Sequence, residues 1–331
     1  MAKSEYKETT SVNWNELFTR DVIEHLYGER EGGLGQWEYS TPNSETDLVQ
    51  GSSLWKTFLK DHPEYYILDA EIALAKTAAP HVQQHITEPV ALGFLGVGSK
   101  YAFKRKDLTV TQNFNRVVTA TAFDLSTEYI SQSLEQLEKT RPNSIRGGYI
   151  QNMFAGFDLP VAGSTKATRL ATMFGLTLFN VDVRRDANHD LIMPEKAIRN
   201  RLRNIHQSLG KNGILITTHD ANQDREKIEN AYKGEADFAE NLAHRIKRDT
   251  PYKTIDTNNV KFRVEWHPES LILGHYLTLD FNKGSGPQEL LINSSPKIPL
   301  DIFKDWCKKE KLNCVESFEN NGVYLHILQA V

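Results

Sequence analysis

Val90-Ala91-Leu92-Gly93-Phe94-Leu95-Gly96-Val97-Gly98-Ser99 is the stretch on which the fold turns. Six largely apolar residues are too few for a helix, and they close on two glycines. That pattern predicts a strand buried on both faces and entering a tight turn. At such a turn a ligand can approach the main chain closely, at the carboxyl end of a parallel strand.

Working outward, the same pattern recurs. Residues 117–123, rich in Val and Thr, close on Asp124, and Ser126 or Thr127 can cap a helix with the stripe Ile130, Leu134 and Leu137. Residues 170–179 form a third apolar run ending at Asn180. Pro194 opens a helix carrying Ile198, Leu202, Ile205 and Leu209, which Gly210 stops, and residues 213–218 form a strand closing on His219-Asp220. Strands alternating with helices at these lengths predict an α/β fold, a doubly wound parallel sheet covered on both faces.

The flanks read differently. A helical pattern runs from Val12 to Gly28, followed by a polar loop over 29–52 carrying Trp37 and Tyr39, then short helices over 53–59 and 68–76. Beyond the sheet come a helix near 235–247, a long antiparallel hairpin of 260–266 and 271–281, a helix around 301–311 and a final strand over 322–328.

The 331 residues suit two domains, or one with an elaboration. With 39 Lys+Arg interspersed among 43 Asp+Glu, the chain lacks the basic face of a nucleic-acid scaffold. No apolar run approaches the roughly 18 residues of a membrane span. The polar start lacks the apolar core of a signal peptide, and the only cysteines are Cys307 and Cys314, so a reducing, cytoplasmic setting is expected. His81 and His85 share a helix face without an evident third ligand, and Lys104-Arg105-Lys106 reads as solvated surface.

Gly96 and Gly98, with an acid at the end of the next strand, point to an adenosine-containing ligand whose ribose Asp124 would hold. That leaves a nicotinamide dinucleotide or S-adenosylmethionine. The third glycine of the dinucleotide fingerprint is missing, and a helix plus a last strand after the parallel strands is how class I methyltransferases end. No hydrolase nucleophile motif occurs.

Short motifs then add up in order and spacing: Arg20-Asp21-Val22, Trp37-Glu38-Tyr39, Pro63-Glu64-Tyr65-Tyr66, Leu95-Gly96-Val97-Gly98, Phe123-Asp124, the run from Gly175 to Asn180, Asp220, Asn230-Ala231-Tyr232 and Ser294-Ser295-Pro296-Lys297. On these the chain resembles the family of the histidine Nα-trimethyltransferase of ergothioneine biosynthesis, which includes the fungal dimethylallyltryptophan N-methyltransferase. The resemblance implies a Rossmann-type class I methyltransferase sheet with a second, smaller α+β substrate domain. Residues 1–75 and 225–295 would form the substrate side, and 76–224 with 296–331 the cofactor side. It implies S-adenosylmethionine as cofactor and S-adenosylhomocysteine as product. Gly96, Gly98 and Gly175 would contact the methionine part and Asp124 the ribose, with Asn152 beside Met153 at the adenine.

It also implies that Asn180 holds the amine, with Tyr39 near it as a proton acceptor. Tyr65, Tyr232, Asn293 and Ser295 would line the acceptor pocket. Three positions depart from the family: Phe94 and Asn293 stand where it has glutamate, and Asn152 where it has aspartate. A neutral Asn293 cannot pair with imidazolium as a carboxylate does. The expected activity is therefore N-methylation of an amino acid or derivative, in secondary metabolism, on a substrate other than histidine itself. The alternative is a non-catalytic binding protein on the same fold. The expected partner is a small-molecule amine, with no nucleic acid or membrane, and the chain a monomer or dimer.

Overall fold

The computed structural model describes residues 5–8, 14–27, 51–160, 166–281 and 286–331; the loop with Trp37 and Tyr39 lies outside them. In chain order the first elements are β1 (Glu5–Glu8), α1 (Trp14–Leu26), α2 (Gly51–Asp61), α3 (Tyr66–Val82), β2 (Val90–Leu95), α4 (Lys100–Arg105), α5 (Asp107–Val110), β3 (Val117–Asp124), α6 (Thr127–Thr140) and β4 (Ile145–Ile150). Then follow β5 (Thr168–Met173), β6 (Arg184–Arg185), β7 (Leu191–Ile192), α7 (Glu195–Leu209), β8 (Ile214–Asp220), α8 (Arg225–Tyr232) and α9 (Ala236–Asp249). The last are β9 (Lys261–His267), β10 (Ile272–Leu279), β11 (Gln288–Pro296), α10 (Leu300–Lys309), β12 (Leu312–Asn320) and β13 (Val323–Ala330).

The main sheet has the order β1-β4-β3-β2-β5-β8-β13-β12. Its strands are parallel from β1 to β8, and β13 enters antiparallel between β8 and β12. Every residue of β2 and of β8 is buried, so both read as unbroken apolar or Thr-rich runs rather than alternating ones. The stripe of α7 buries Ile198, Leu202, Ile205 and Leu209, as its spacing predicts, and Gly210 ends it at a φ of +68°. Ser126 Oγ accepts the Tyr129 N–H and so caps α6.

Several expectations need correction. The apolar run over 170–179 is strand only as far as Met173. Gly175 and Leu176 take left-handed φ values of +71° and +55°, and a 3-10 turn over Thr177–Phe179 delivers Asn180. The expected hairpin of 260–266 and 271–281 is β9–β10, but β11 pairs on the other edge of β10 and makes a three-stranded sheet. The single expected last strand is a hairpin of β12 and β13.

Two cores result. The larger lies on both faces of the main sheet. The smaller gathers Phe18 and Val22 of α1, Leu242, Ala243 and Ile246 of α9, and Leu277, Leu279, Leu290 and Ile292 of the three-stranded sheet. Among the described residues no helix is long and apolar enough to cross a membrane.

Helix α6 approaches β4 closely because residue 148 is glycine: a Cβ there would sit 2.6 Å from Ile130 Cγ2 and 3.1 Å from Leu134 Cδ1. Gly148→Val is expected to destabilise the protein by about 1–3 kcal/mol through overpacking, read as a lower midpoint of denaturant unfolding.

Candidate active site

The carboxyl ends of β2, β3, β4 and β5 lie along one edge of the main sheet, where an open parallel sheet forms its ligand crevice. After β2 the chain turns through Gly96 and Gly98, at φ values of +68° and +61°. Gly96 N–H donates to the Phe123 carbonyl at 2.8 Å. A Cβ at Gly96 would meet Thr177 at 3.0 Å, so the glycine turn abuts the turn after β5. At Gly98 a Cβ would meet nothing within 4 Å. That main chain is open to a close-lying ligand.

Asp124 stands beside it. Its Oδ2 accepts from Gly98 N–H at 3.3 Å and its Oδ1 from Ser126 N–H at 2.8 Å. Burial pushes this carboxyl up to about 6 despite those bonds. An open glycine turn held by a carboxylate with spare lone pairs fits the ribose and methionine ends of S-adenosylmethionine. Asn152 is exposed, and its Oδ1 accepts the Phe154 N–H at 3.0 Å, capping a short turn whose first residue, Met153, is buried. Asn180 is half-buried, and its side chain has no hydrogen-bond partner among the described residues.

Beneath the crevice lies a brace that the sequence reading missed. Glu71 of α3 is 1% exposed, and its carboxylate accepts from Lys106 Nζ at 2.7 Å, from Gly175 N–H at 2.7 Å and from the Thr218 hydroxyl. Lys106, expected on the solvated surface, is therefore buried as an ion-pair partner. Next to it Asp107, pushed up to about 7 by burial, accepts from Thr172 Oγ1 at 2.5 Å. A basic run offers no sign of which lysine turns inward; only the tertiary fold supplies the carboxylate.

A second polar cluster joins the two sheets. Asp220, at the end of β8, pairs with Lys297, just past β11, at 2.8 Å, and neither side chain has any exposed surface. Tyr66 OH donates to Asp220 at 2.6 Å. Burial opposes the Asp220 charge, but Lys297, with Tyr66 and Asn222, more than offsets it and holds the carboxyl below its ordinary value. Burial, reinforced by Asp220, lifts the Tyr66 phenol far above its ordinary range. Tyr232 OH lies 3.2 Å from Ser295 Oγ, and Tyr65 packs edge-on against Tyr232 at 5.3 Å between ring centres. Asn293 and Ser295 alternate onto one half-exposed face of β11, while Ser294 turns inward and donates to the Val181 carbonyl at 3.4 Å. That contact sets β11 against the segment carrying Asn180. Of the expected site residues only Tyr39 lies outside the described ones.

Other sequence candidates find different roles. His219 is buried between Phe303 and Tyr324 and bonds His326 at 2.7 Å; burial lowers it to about 4, so it stays neutral. His81 and His85 both contact Glu316 of β12, at 2.8 and 3.2 Å, tying α3 to that strand. Among the described residues no group of three or more His, Cys, Asp or Glu is placed to hold a metal ion. Phe94 is wholly buried and packs edge-on against Phe103 of α4, at 5.1 Å.

Removing one partner of a buried ion pair leaves an uncompensated charge. Glu71→Gln is therefore expected to cost about 3–5 kcal/mol of stability in denaturant titrations. Adding Lys106→Met to that variant is expected to recover part of the loss.

No curated protein matches the chain. Among solved structures it is similar to an S-adenosylmethionine-dependent methyltransferase from Clostridium acetobutylicum, at 10% identity and a TM-score of 0.41, covering 96% of this chain and 98% of that one. It is also similar to the CcbJ methyltransferase from Streptomyces caelestis, at 12% identity and a TM-score of 0.42, covering 78% and 89%. A third is SAM-bound CalS10, an amino pentose methyltransferase from Micromonospora echinaspora, at 10% identity and a TM-score of 0.41, covering 88% and 100%. The sequence profile described as "Histidine-specific methyltransferase, SAM-dependent" matches residues 46–330. That match takes in both sheets from β2 to β13 and the whole crevice described above, and by it the chain belongs to this family of S-adenosylmethionine-dependent methyltransferases.

Proposed function

We propose that this methyltransferase acts on the α-amino group of an amino acid or amino-acid derivative other than histidine. The observation that carries the reading is Asn180, an unpartnered amide among the described residues, on a turn that abuts the glycine loop through Thr177 and the β11 face through Val181. In this reading residues 76–224 with 296–331 carry the cofactor, and 1–75 with 225–295 carry the acceptor.

When bound, the cofactor supplies an electrophilic methyl group on a sulfonium centre and leaves as S-adenosylhomocysteine. The protein's part is then positioning, because neutral amines attack such a centre without a dedicated nucleophile. Gly96, Gly98 and Gly175 let the main chain lie against the ligand. Asp124 would accept the ribose hydroxyls and the Asn152 carbonyl the adenine amine, over the buried Met153. Asn180 would orient the amine, Tyr39 take its proton, and Tyr65 and Tyr232 bound the pocket. Asn293 and Ser295 would meet the acceptor's side chain. Asn293 is neutral, and its Oδ1 already accepts Ser294 N–H at 2.7 Å, so it offers no counter-charge to an imidazolium.

The test is transfer of labelled methyl from S-adenosylmethionine to a panel of free amino acids. Asn180→Ala is expected to abolish turnover while calorimetry shows nearly unchanged affinity for S-adenosylhomocysteine. Collapse of that affinity would show Asn180 to be a cofactor residue instead.

Asp124 makes a pH prediction. Its carboxyl is raised to about 6, so the ionised acceptor is present above that pH and is lost as pH falls through it. Affinity for S-adenosylhomocysteine is expected to drop below about pH 6 in the wild type, and to be weak and flat with pH in Asp124→Ala. A wild-type profile that is flat from pH 5 to 8 would remove the ribose role from Asp124.

A further inference from the structure

Lys297 has no exposed surface, and its ammonium has three partners: Asp220 Oδ2 at 2.8 Å, Ser295 Oγ at 3.0 Å and Tyr232 OH at 3.3 Å. An ammonium has three protons and no lone pair, so all of its bonding capacity is spent. Asp220 is held in turn by Tyr66 OH on the same Oδ2, and by Asn222 N–H and Asn222 Nδ2 on Oδ1. The buried pair therefore has a fixed direction, with its positive end against the hydroxyls of Ser295 and Tyr232.

Those hydroxyls then have few arrangements left. Both oxygens accept from Lys297, and their mutual contact at 3.2 Å consumes one hydroxyl proton. Either oxygen could donate in that contact; the phenol, as the stronger acid, is the better donor, and with it donating the Ser295 proton is left over. Ser295 is half-exposed, and that proton is what an incoming group meets. On the same face the Asn293 carbonyl oxygen already accepts Ser294 N–H at 2.7 Å, while its amide N–H groups remain to donate. The nearby carboxylate Glu235 is turned to His275 Nδ1 at 2.8 Å. Among the described residues, these groups at this end of the pocket offer donors and no free anion.

We propose that Lys297 is a specificity-determining residue: it fixes the Ser295 hydroxyl as a donor beside the Asn293 amide, which makes this subsite one of donors. The side chain of the methyl acceptor then ends in an uncharged or anionic hydrogen-bond acceptor, and cationic side chains are excluded. This rests on the reading above that the acceptor is an amino acid.

The experiment compares kcat/KM across the twenty amino acids for the wild type, for Lys297→Met combined with Asp220→Asn, and for Ser295→Ala. The paired substitution leaves no buried carboxylate uncompensated; Ser295→Ala, at a half-exposed position, serves if the pair does not fold. Wild-type turnover is expected to favour side chains with neutral or anionic acceptors over Lys, Arg and protonated His by at least about tenfold. The variants are expected to bind S-adenosylhomocysteine normally and to lose that ratio. A wild type that prefers cationic side chains overturns the proposal. So does an unchanged ratio in a variant that still binds the cofactor product, which would make Lys297 structural only. Normal cofactor-product binding with no amino acid turned over would instead fell the amino-acid reading, and this proposal with it.

Discussion

Asp220 and Lys297 meet out of reach of water, and three separate lengths of chain depend on that meeting. Each ion gives up its hydration at a cost of several kcal/mol, which close contact alone does not return. The pair persists because Tyr66, Asn222, Tyr232 and Ser295 satisfy what remains. Those partners come from the start of α3, the loop after β8, α8 and the end of β11. The main chain repeats the tie, with Ile298 N–H donating to the Asp220 carbonyl at 3.1 Å. The end of the main sheet, the end of the smaller sheet and the first turn of α3 are thus fixed on one another. An apolar contact would hold them together as well, but not in one register.

The Glu71 brace does the same work one layer down. A single carboxylate draws in a side chain from the α4–α5 junction, a main-chain N–H after β5 and a hydroxyl from β8. Gly175 is held by its N–H, so the turn that follows has a fixed starting point and Asn180 a fixed place. Precision at the crevice comes from buried polar groups that each have a defined partner.

How much of this was legible in the chain depends on burial on one face or two. β2, β3 and β8 are covered on both faces and announce themselves as apolar or Thr-rich runs, and α7 shows its stripe at helical spacing. β4 reads Ile-Arg-Gly-Gly-Tyr-Ile and β12 mixes Asn, Glu and Ser with its apolar residues; neither carries a period that separates it from a loop. The glycines, Asp124 and Asn180 could be picked out because strand ends are where a parallel sheet gathers ligand contacts. Lys297 appeared only as the last letter of a short motif. Lys106 was masked by its basic neighbours, and Glu71 had no motif at all. A buried charge is defined by a partner distant in sequence, and sequence spacing does not reveal that partner.

The strand that comes last in sequence, β13, lies not at an edge but between β8 and β12. As the chain leaves the ribosome, β2, β3, β5 and β8 can pair while later residues are still being added. β12 emerges before the strand that must separate it from β8. Until residues 323–330 arrive, the open edge of β8 is a template for mispairing with β12 or with another nascent chain. The sheet closes only when translation has passed β13, so a polypeptide stalled shortly before that point still presents the open edge of β8.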